Sequence, residues 1–301
     1  MRTALLALSR HPGMRQFTES STLGKRVSRR FVAGLTLDDA IAAVSAVNAL
    51  GMSATLDPLG ENVASPAAAE QAAATAQTIL EAIHRRQVDS NLSVKLTQLG
   101  LDLGLDFARE QLHRVLAAAR GLGNFIRVDM EGSPYTAATL ALVEELHAQG
   151  APVGTVVQAY LYRTAADVER LVDKGIRLRL VKGAYREPAE IAYQAKAEVD
   201  ANYVRLMQRL LPSGLYHAIA THDERIIEAT VAFARERGLG PETFEFQMLY
   251  GIRRDLQRRL QQEGWRVRVY IPYGPEWYPY FMRRLAERPA NLLFLLRNLA
   301  K

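Results

Sequence analysis

The sequence predicts an α/β fold: a (β/α)8 barrel of TIM type with extra N-terminal helices ahead of it. Three observations predict it. Helical patterns stop, mostly at a glycine, and a short apolar or alternating run follows within a few residues. There are eight such runs, and strands alternating with helices argue for parallel β with right-handed crossovers. Eight strands close a barrel, and residues 51 to 301 supply about the ~250 residues such a barrel takes.

The runs are SATLDPL (53–59), NLSVKL (91–96), FIRVDM (125–130), GTVVQAYL (154–161), IRLRLVK (176–182), LYHAIATH (215–222), TFEFQML (243–249) and WRVRVYI (265–271). Many are β-branched or aromatic, and all are as short as strands should be. The preceding stops are Gly51, Gly121, Gly150, Gly175, Gly214, Gly238 and Gly264, each read as a left-handed residue just past a helix. NLSVKL follows a helix without a glycine stop.

Before the first run, Leu37, Ala40, Ile41, Val44 and Val47 trace a core-facing helical stripe. Ser65 and Pro66 read as an N-cap followed by proline at the first helical position, and Ser133 and Pro134 repeat that order. Thr164 with Asp167 resembles a capping box. The division expected is a helical extension over 1–50 and a catalytic barrel over 51–301, forming one structural domain overall. The rival fold is an open doubly wound sheet, which usually carries GxGxxG after its first strand. Gly121-Leu-Gly123 and Gly238-Leu-Gly240 are too short for that motif and precede strands.

Composition narrows the function. Hydrophobic residues make up 49% and charged residues 23% of 301, enough for a sizeable core. No apolar run approaches the ~18 residues of a membrane span. The opening MRTALLALSRHPGMRQF turns polar too soon for a secretory signal. The absence of cysteine excludes disulfides and thiolate chemistry, and fits a cytoplasmic protein. The six histidines show no HxH or HExxH spacing, so no metal site is predicted. The net charge of +6 reads either as a solvated basic surface or as attraction to phosphates, carboxylates or an acidic membrane. With no aromatic platform or zinc finger, nucleic-acid binding is not expected.

In a barrel the chemistry gathers at the C-terminal strand ends. Those ends are Asp57, Lys95, Asp129, Gln158, Arg179 to Lys182, Thr221 with His222, Gln247 and Tyr270, all polar or ionisable. Lys95 and Lys182 each end an apolar run, where a lysine snorkels to solvent or meets an anion, a cofactor or a carbonyl as a Schiff base. Arg177 and Arg179 share one face of their strand and need anions if buried; Asp129 is either that partner or a loop cap. Arg283 and Arg284 lie one helical turn before Glu287, as a surface ion pair or as two forks for a carboxylate. Tyr270, Tyr273, Tyr278 and Tyr280 cluster nearby, as core or as the wall of a small pocket.

At these residues the sequence resembles the proline dehydrogenase family, particularly its monofunctional bacterial branch. The matching stretches are VKLTQLG (94–100), VDMEGSP (128–134), QAYLYRT (158–164), LRLVKGAYREP (178–188), ATHD (220–223), FEFQMLYG (244–251) and YFMRRLAERPANLL (280–293). The resemblance implies a distorted (β/α)8 barrel that oxidises L-proline to Δ1-pyrroline-5-carboxylate by hydride transfer to FAD. It implies that Lys95, Arg283 and Arg284 hold the proline carboxylate, that Glu287 steadies the arginines, and that Tyr185, Leu249, Tyr270 and Tyr280 surround the ring. Asp129 and Arg179 would be the catalytic pair. Met130, Gln158, Arg179, Val181, Lys182, Gly183, Ala184, Thr221 and His222 would contact the flavin. Strict strand alternation sets Arg179 and Lys182 on opposite faces, so both reach one site only if the strand ends or distorts at Lys182–Gly183. The resemblance further implies a membrane quinone as electron acceptor, transient contact at the inner face of the membrane, and a complex with pyrroline-5-carboxylate dehydrogenase. The terminal NLLFLLRNLAK reads equally as a membrane contact or as core.

Overall fold

Eight parallel strands pair in sequence order and close into a barrel when β8 meets β1. The structure, a computed structural model, describes residues 30–287, except for the side chains of residues 283–287. Helix α1 (Leu37–Asn48) precedes the barrel, and its complete capping box joins Thr36 to Asp39. It buries Ala40, Ile41, Val44 and Val47 of the predicted stripe against the sheet, and Leu37 is partly buried beside them.

The alternation then runs β1 (Ser53–Pro58), α2 (Pro66–Arg86), β2 (Ser90–Val94), α3 (Leu105–Gly121), β3 (Ile126–Val128), α4 (Ser133–Ala148), β4 (Val153–Gln158) and α5 (Thr164–Asp173). The second half is β5 (Leu178–Val181), α6 (Lys196–Leu210), β6 (His217–Ala220), α7 (Glu224–Glu236), β7 (Phe244–Leu249), α8 (Arg254–Gln262) and β8 (Val267–Tyr273), followed by α9 (Trp277–Glu287). Closure is extensive: β1 and β8 stay in register from Ser53↔Arg268 to Pro58↔Tyr273.

The apolar core lies between the sheet and the surrounding helices, whose inner stripes bury Ile79, Leu112, Val143, Val168 and Leu206. Inside the ring the character changes. Arg127 is 2% exposed; its Nη1 donates to the carbonyls of Thr155 (3.0 Å) and Arg177 (2.6 Å). With the Arg177 carbonyl it fills the space that a side chain on Gly154 would need: a Cβ there would strike that carbonyl and lie 2.9 Å from Arg127 Nη1. Above it, Arg268 Nε donates to Glu245 at 2.8 Å and Arg268 Nη1 to the Ala54 carbonyl at 2.6 Å. Burial tends to neutralise Glu245, but Arg268 outweighs it and keeps the carboxylate below its ordinary range.

Three local expectations need correction. Gly121 ends α3 as its last helical residue, and the left-handed turn is taken two residues later by Gly123. The cap of α4 is Gly132, because the Ser133 hydroxyl is drawn away to Glu187 at 2.5 Å. Thr164 and Asp167 form no capping box: the Thr164 hydroxyl donates to the Gln158 carbonyl at 2.5 Å, and Asp167 pairs with Arg163. Among the described residues, no helix is long and apolar enough to cross a membrane.

Candidate active site

A cavity of about 900 Å³ opens at the C-terminal strand ends, at the large end of the range for small-molecule and cofactor sites. Its floor is a chain of buried charges. Arg179 on β5 donates to Asp129 Oδ1 (2.7 Å), to Ser93 Oγ (3.2 Å) and to Gln247 Oε1 (2.5 Å). The Tyr270 hydroxyl on β8 donates to the other oxygen of Asp129 at 2.6 Å, and the Ser93 hydroxyl adds a bond at 3.0 Å. Lys95, just past β2, lies 2.7 Å from Asp57 Oδ1 and 3.5 Å from Asp129 Oδ2. Two carboxylates therefore face two cations, which is what lets four charges sit below 9% exposure.

The protonation states follow from this geometry. Burial alone would raise Asp129, but Arg179 and Lys95 outweigh it and hold the carboxyl below its ordinary range. Asp57 is raised, because burial and the neighbouring Asp129 together exceed what Lys95 returns. Burial would lower the Lys95 ammonium, yet Asp57 and Asp129 hold it above the ordinary lysine range. Burial pushes the Tyr270 phenol well up, and the Asp129 charge pushes it further, so the tyrosine remains a donor.

Arg179 settles the question of Asp129, which is its partner rather than a loop cap. Arg177 takes no part: it lies before β5 and stacks on the rings of Phe125 (4.4 Å) and Tyr216 (5.1 Å). Burial lowers its guanidinium, only partly offset by Glu245.

Strand β5 ends at Val181, and Gly183 takes a φ of 122° that favours glycine. That break brings Arg179 and Lys182 to one cavity. A Cβ at Gly183 would also strike the Tyr160 ring. Lys182 donates to Asp200 (2.5 Å) and Asp223 (2.8 Å), and Lys196 joins the same two carboxylates. These hydrogen bonds outweigh burial and bring Asp223 down to about 2.

The remaining wall comes from the other strand ends, the segment after β5 and, at Tyr280, helix α9. Met130, Gln158, Val181, Ala184, Tyr185, Thr221, His222, Leu249 and Tyr280 all line the cavity. Gln158 is turned by a bond to the Glu131 carbonyl (3.0 Å). His222 Nε2 accepts the Leu249 N–H at 2.9 Å. Of the predicted residues, Arg283, Arg284 and Glu287 belong to α9, but their side chains lie outside the described residues, as does the whole of NLLFLLRNLAK.

Several contributors carry no role in the sequence reading. Asp57 and Gln247 are visible there only as polar strand ends. Ser93 shares a strand face with Lys95, two residues on, and that spacing is the signal that finds it. Glu187 is 9% exposed and accepts the Ser133 N–H (2.8 Å) and hydroxyl, with the Tyr160 hydroxyl at 3.4 Å. It ties the segment carrying Tyr185 to the start of α4.

The donor set fits a flavin on this structure's own terms. A broad cavity has apolar walls at Met130, Val181 and Leu249, a side-chain-free approach at Gly183, Arg179 for a polar ring edge, and N–H donors at Lys182 and Lys196, which are held in place by Asp200 and Asp223.

A family model described as proline dehydrogenase matches residues 40–297. Proline dehydrogenase 1 of Bacillus subtilis subsp. natto is 42% identical over 302 residues, covering 100% of this chain and 99% of that protein. Proline dehydrogenase of Deinococcus radiodurans is 43% identical over 311 residues, covering 100% and 98%. Among solved structures, proline utilization A from Bdellovibrio bacteriovorus, inactivated by N-propargylglycine, superposes with a TM-score of 0.82 at 26% identity. That match covers 88% of this chain but 33% of the longer one, so the chain spans about a third of that structure. On the family model and these full-length relatives, the chain belongs to the proline dehydrogenase family.

Proposed function

We propose that the chain oxidises L-proline to Δ1-pyrroline-5-carboxylate at this cavity, with FAD as the hydride acceptor. The observation that carries the reading is the buried Lys95–Asp57 and Asp129–Arg179–Tyr270 network on the floor of a flavin-sized cavity. When bound, the flavin takes two electrons and a proton from the substrate as hydride. The protein supplies binding and orientation. Lys95 presents a fixed positive charge to a small carboxylate, and Arg283 and Arg284 complete the clamp. Tyr185, Leu249, Tyr270 and Tyr280 surround the ring. Asp129 fixes the Tyr270 hydroxyl and the Arg179 guanidinium, a buried positive charge that would stabilise the reduced cofactor. Met130, Gln158, Val181, Lys182, Gly183, Ala184, Thr221 and His222 hold the cofactor. A protonated Lys95 is a poor nucleophile, which disfavours Schiff-base chemistry at that position.

Electrons pass on to a membrane quinone at the inner face of the membrane, and the product passes to pyrroline-5-carboxylate dehydrogenase; family resemblance supports both. The test is the visible spectrum of the purified protein before and after anaerobic L-proline. Bleaching of a flavin band supports cofactor and reaction together. A flavin that stays oxidised moves the substrate to another amine. A colourless protein unable to take up FAD refutes the reading.

A further inference from the structure

Lys95 is bracketed by two carboxylates that are not equivalent. Asp129 is already engaged by Arg179, Tyr270 and Ser93. Asp57 is directed at Lys95, whose Nζ donates to it at 2.7 Å. The two residues end neighbouring strands in parallel register, Leu56 opposite Leu92, and both line the cavity floor. Asp57 is 2% exposed. A buried carboxylate is costly unless its partner needs it, and a lysine has a flexible stem that does not place its own charge.

We propose that Asp57 is a positioning residue, fixing the Lys95 ammonium at the cavity floor so that the substrate carboxylate meets a charge already aimed at it. This rests on the proline reading of the cavity. Asp57 acts through Lys95 and does not itself touch the substrate. Its second effect is electrostatic. Lys95 is buried enough to favour the neutral amine, and Asp57 and Asp129 reverse that preference. The other charged groups facing it are Glu61, from the segment after β1, and Glu131, after β3. With Asp57 neutral and Asp129 shared with Arg179, Lys95 gives up its proton at a lower pH.

The experiment is anaerobic stopped-flow bleaching of the flavin-loaded enzyme by L-proline. It reads the half-saturating proline concentration and the limiting rate from about pH 7 to about pH 10. Wild type is expected to change its half-saturation less than ~3-fold over that range. Asp57→Asn is expected to raise it ~10-fold near neutrality and a further ~10-fold toward the alkaline end. Its limiting rate stays within ~3-fold, because ground-state binding is what is lost. Asp57→Asn with Lys95→Arg removes the alkaline rise, since a guanidinium does not titrate there. A rise that persists in the double variant overturns the inference, as does an Asp57→Asn enzyme with a wild-type profile. If Asp57→Asn fails to fold, Asp57→Glu, which keeps the charge but displaces it, is measured instead: a raised half-saturation with a limiting rate within ~3-fold supports the proposal, and a wild-type half-saturation overturns it. A wild-type flavin that proline never bleaches sinks the proline reading and this inference together. A bleached wild type with an indifferent Asp57→Asn sinks the inference alone.

Discussion

Replacing Asp129 by asparagine removes one charge and almost no volume from the most connected point of the cavity floor. The carboxylate accepts from Arg179 at 2.7 Å, Tyr270 at 2.6 Å and Ser93 at 3.0 Å, and lies 3.5 Å from Lys95. Asp57 then remains with Lys95, and Arg179 is left without its carboxylate partner. Breaking a buried pair from one side typically costs ~3–5 kcal/mol, because the other charge is left uncompensated. Arg179→Met costs less, ~2 kcal/mol, since Asp129 keeps Lys95 and two hydroxyl donors. The double variant should fall ~2 kcal/mol short of the sum, because no charge is then stranded. The assay is urea unfolding by tryptophan fluorescence and far-UV circular dichroism, at one fixed flavin concentration for all variants. Simple additivity would show that the two residues do not act as a pair, and the electrostatic account of the floor would be wrong.

Three further outcomes follow from features outside that network. His217 is fully buried and neutral: burial, with Arg127 and Arg177, lowers it to about 3, and its Nδ1 accepts the Leu178 N–H at 3.0 Å. Its folded pKa is depressed, so its contribution is present above the unfolded value of ~6.5 and lost as pH falls toward about 3, with a ceiling of ~4–5 kcal/mol. Urea titrations at several pH values should therefore show a shallower acid slope in His217→Gln than in wild type. Gly154→Ala forces a methyl against the Arg177 carbonyl, the Phe125 ring and Arg127 and should lower the denaturant midpoint by the equivalent of ~2–3 kcal/mol; a midpoint within error of wild type would mean the β4–β5 backbone gives way at little cost. Glu187→Ala strands the Ser133 N–H and hydroxyl and loosens the segment bearing Tyr185, so kcat/KM for proline should fall ~10-fold, with Glu187→Asp recovering part of it.

The barrel was legible because its signals are local. Each run of alternating or apolar residues and each helical stripe declares itself within about a dozen residues, and the strands lie where those runs fall, mostly trimmed at their ends, though β2 and β4 start one residue earlier and β8 runs two residues further. Two helix starts were misread because the competing partner is remote or differently placed: Ser133 leaves its cap for Glu187, 54 residues on, and Thr164 turns back to the Gln158 carbonyl. The residue types at the strand ends pointed to an anion site, but their pairing did not follow from spacing. Asp129 meets Tyr270 across 141 residues of chain, and only closure of the ring brings them together. The same holds for Lys182, whose partners Asp200 and Asp223 lie on or beside two later helices.

That pairing across the ring bears on how the chain can be made. The interior is tied together between early and late strands: the Tyr270 hydroxyl of β8 bonds Asp129, which follows β3, and Arg268 of β8 reaches the Ala54 carbonyl, 214 residues upstream. A nascent chain that stops before β8 holds Asp129 without Tyr270 and Glu245 without Arg268. Its half-built lumen keeps the Lys95–Asp57 and Arg179–Asp129 pairs but leaves Glu245 without its bonded cation, which favours a hydrated arrangement at that level over a collapsed one. The eighth strand therefore brings the cation for Glu245, so that ion pair of the lumen forms only when the ring is completed.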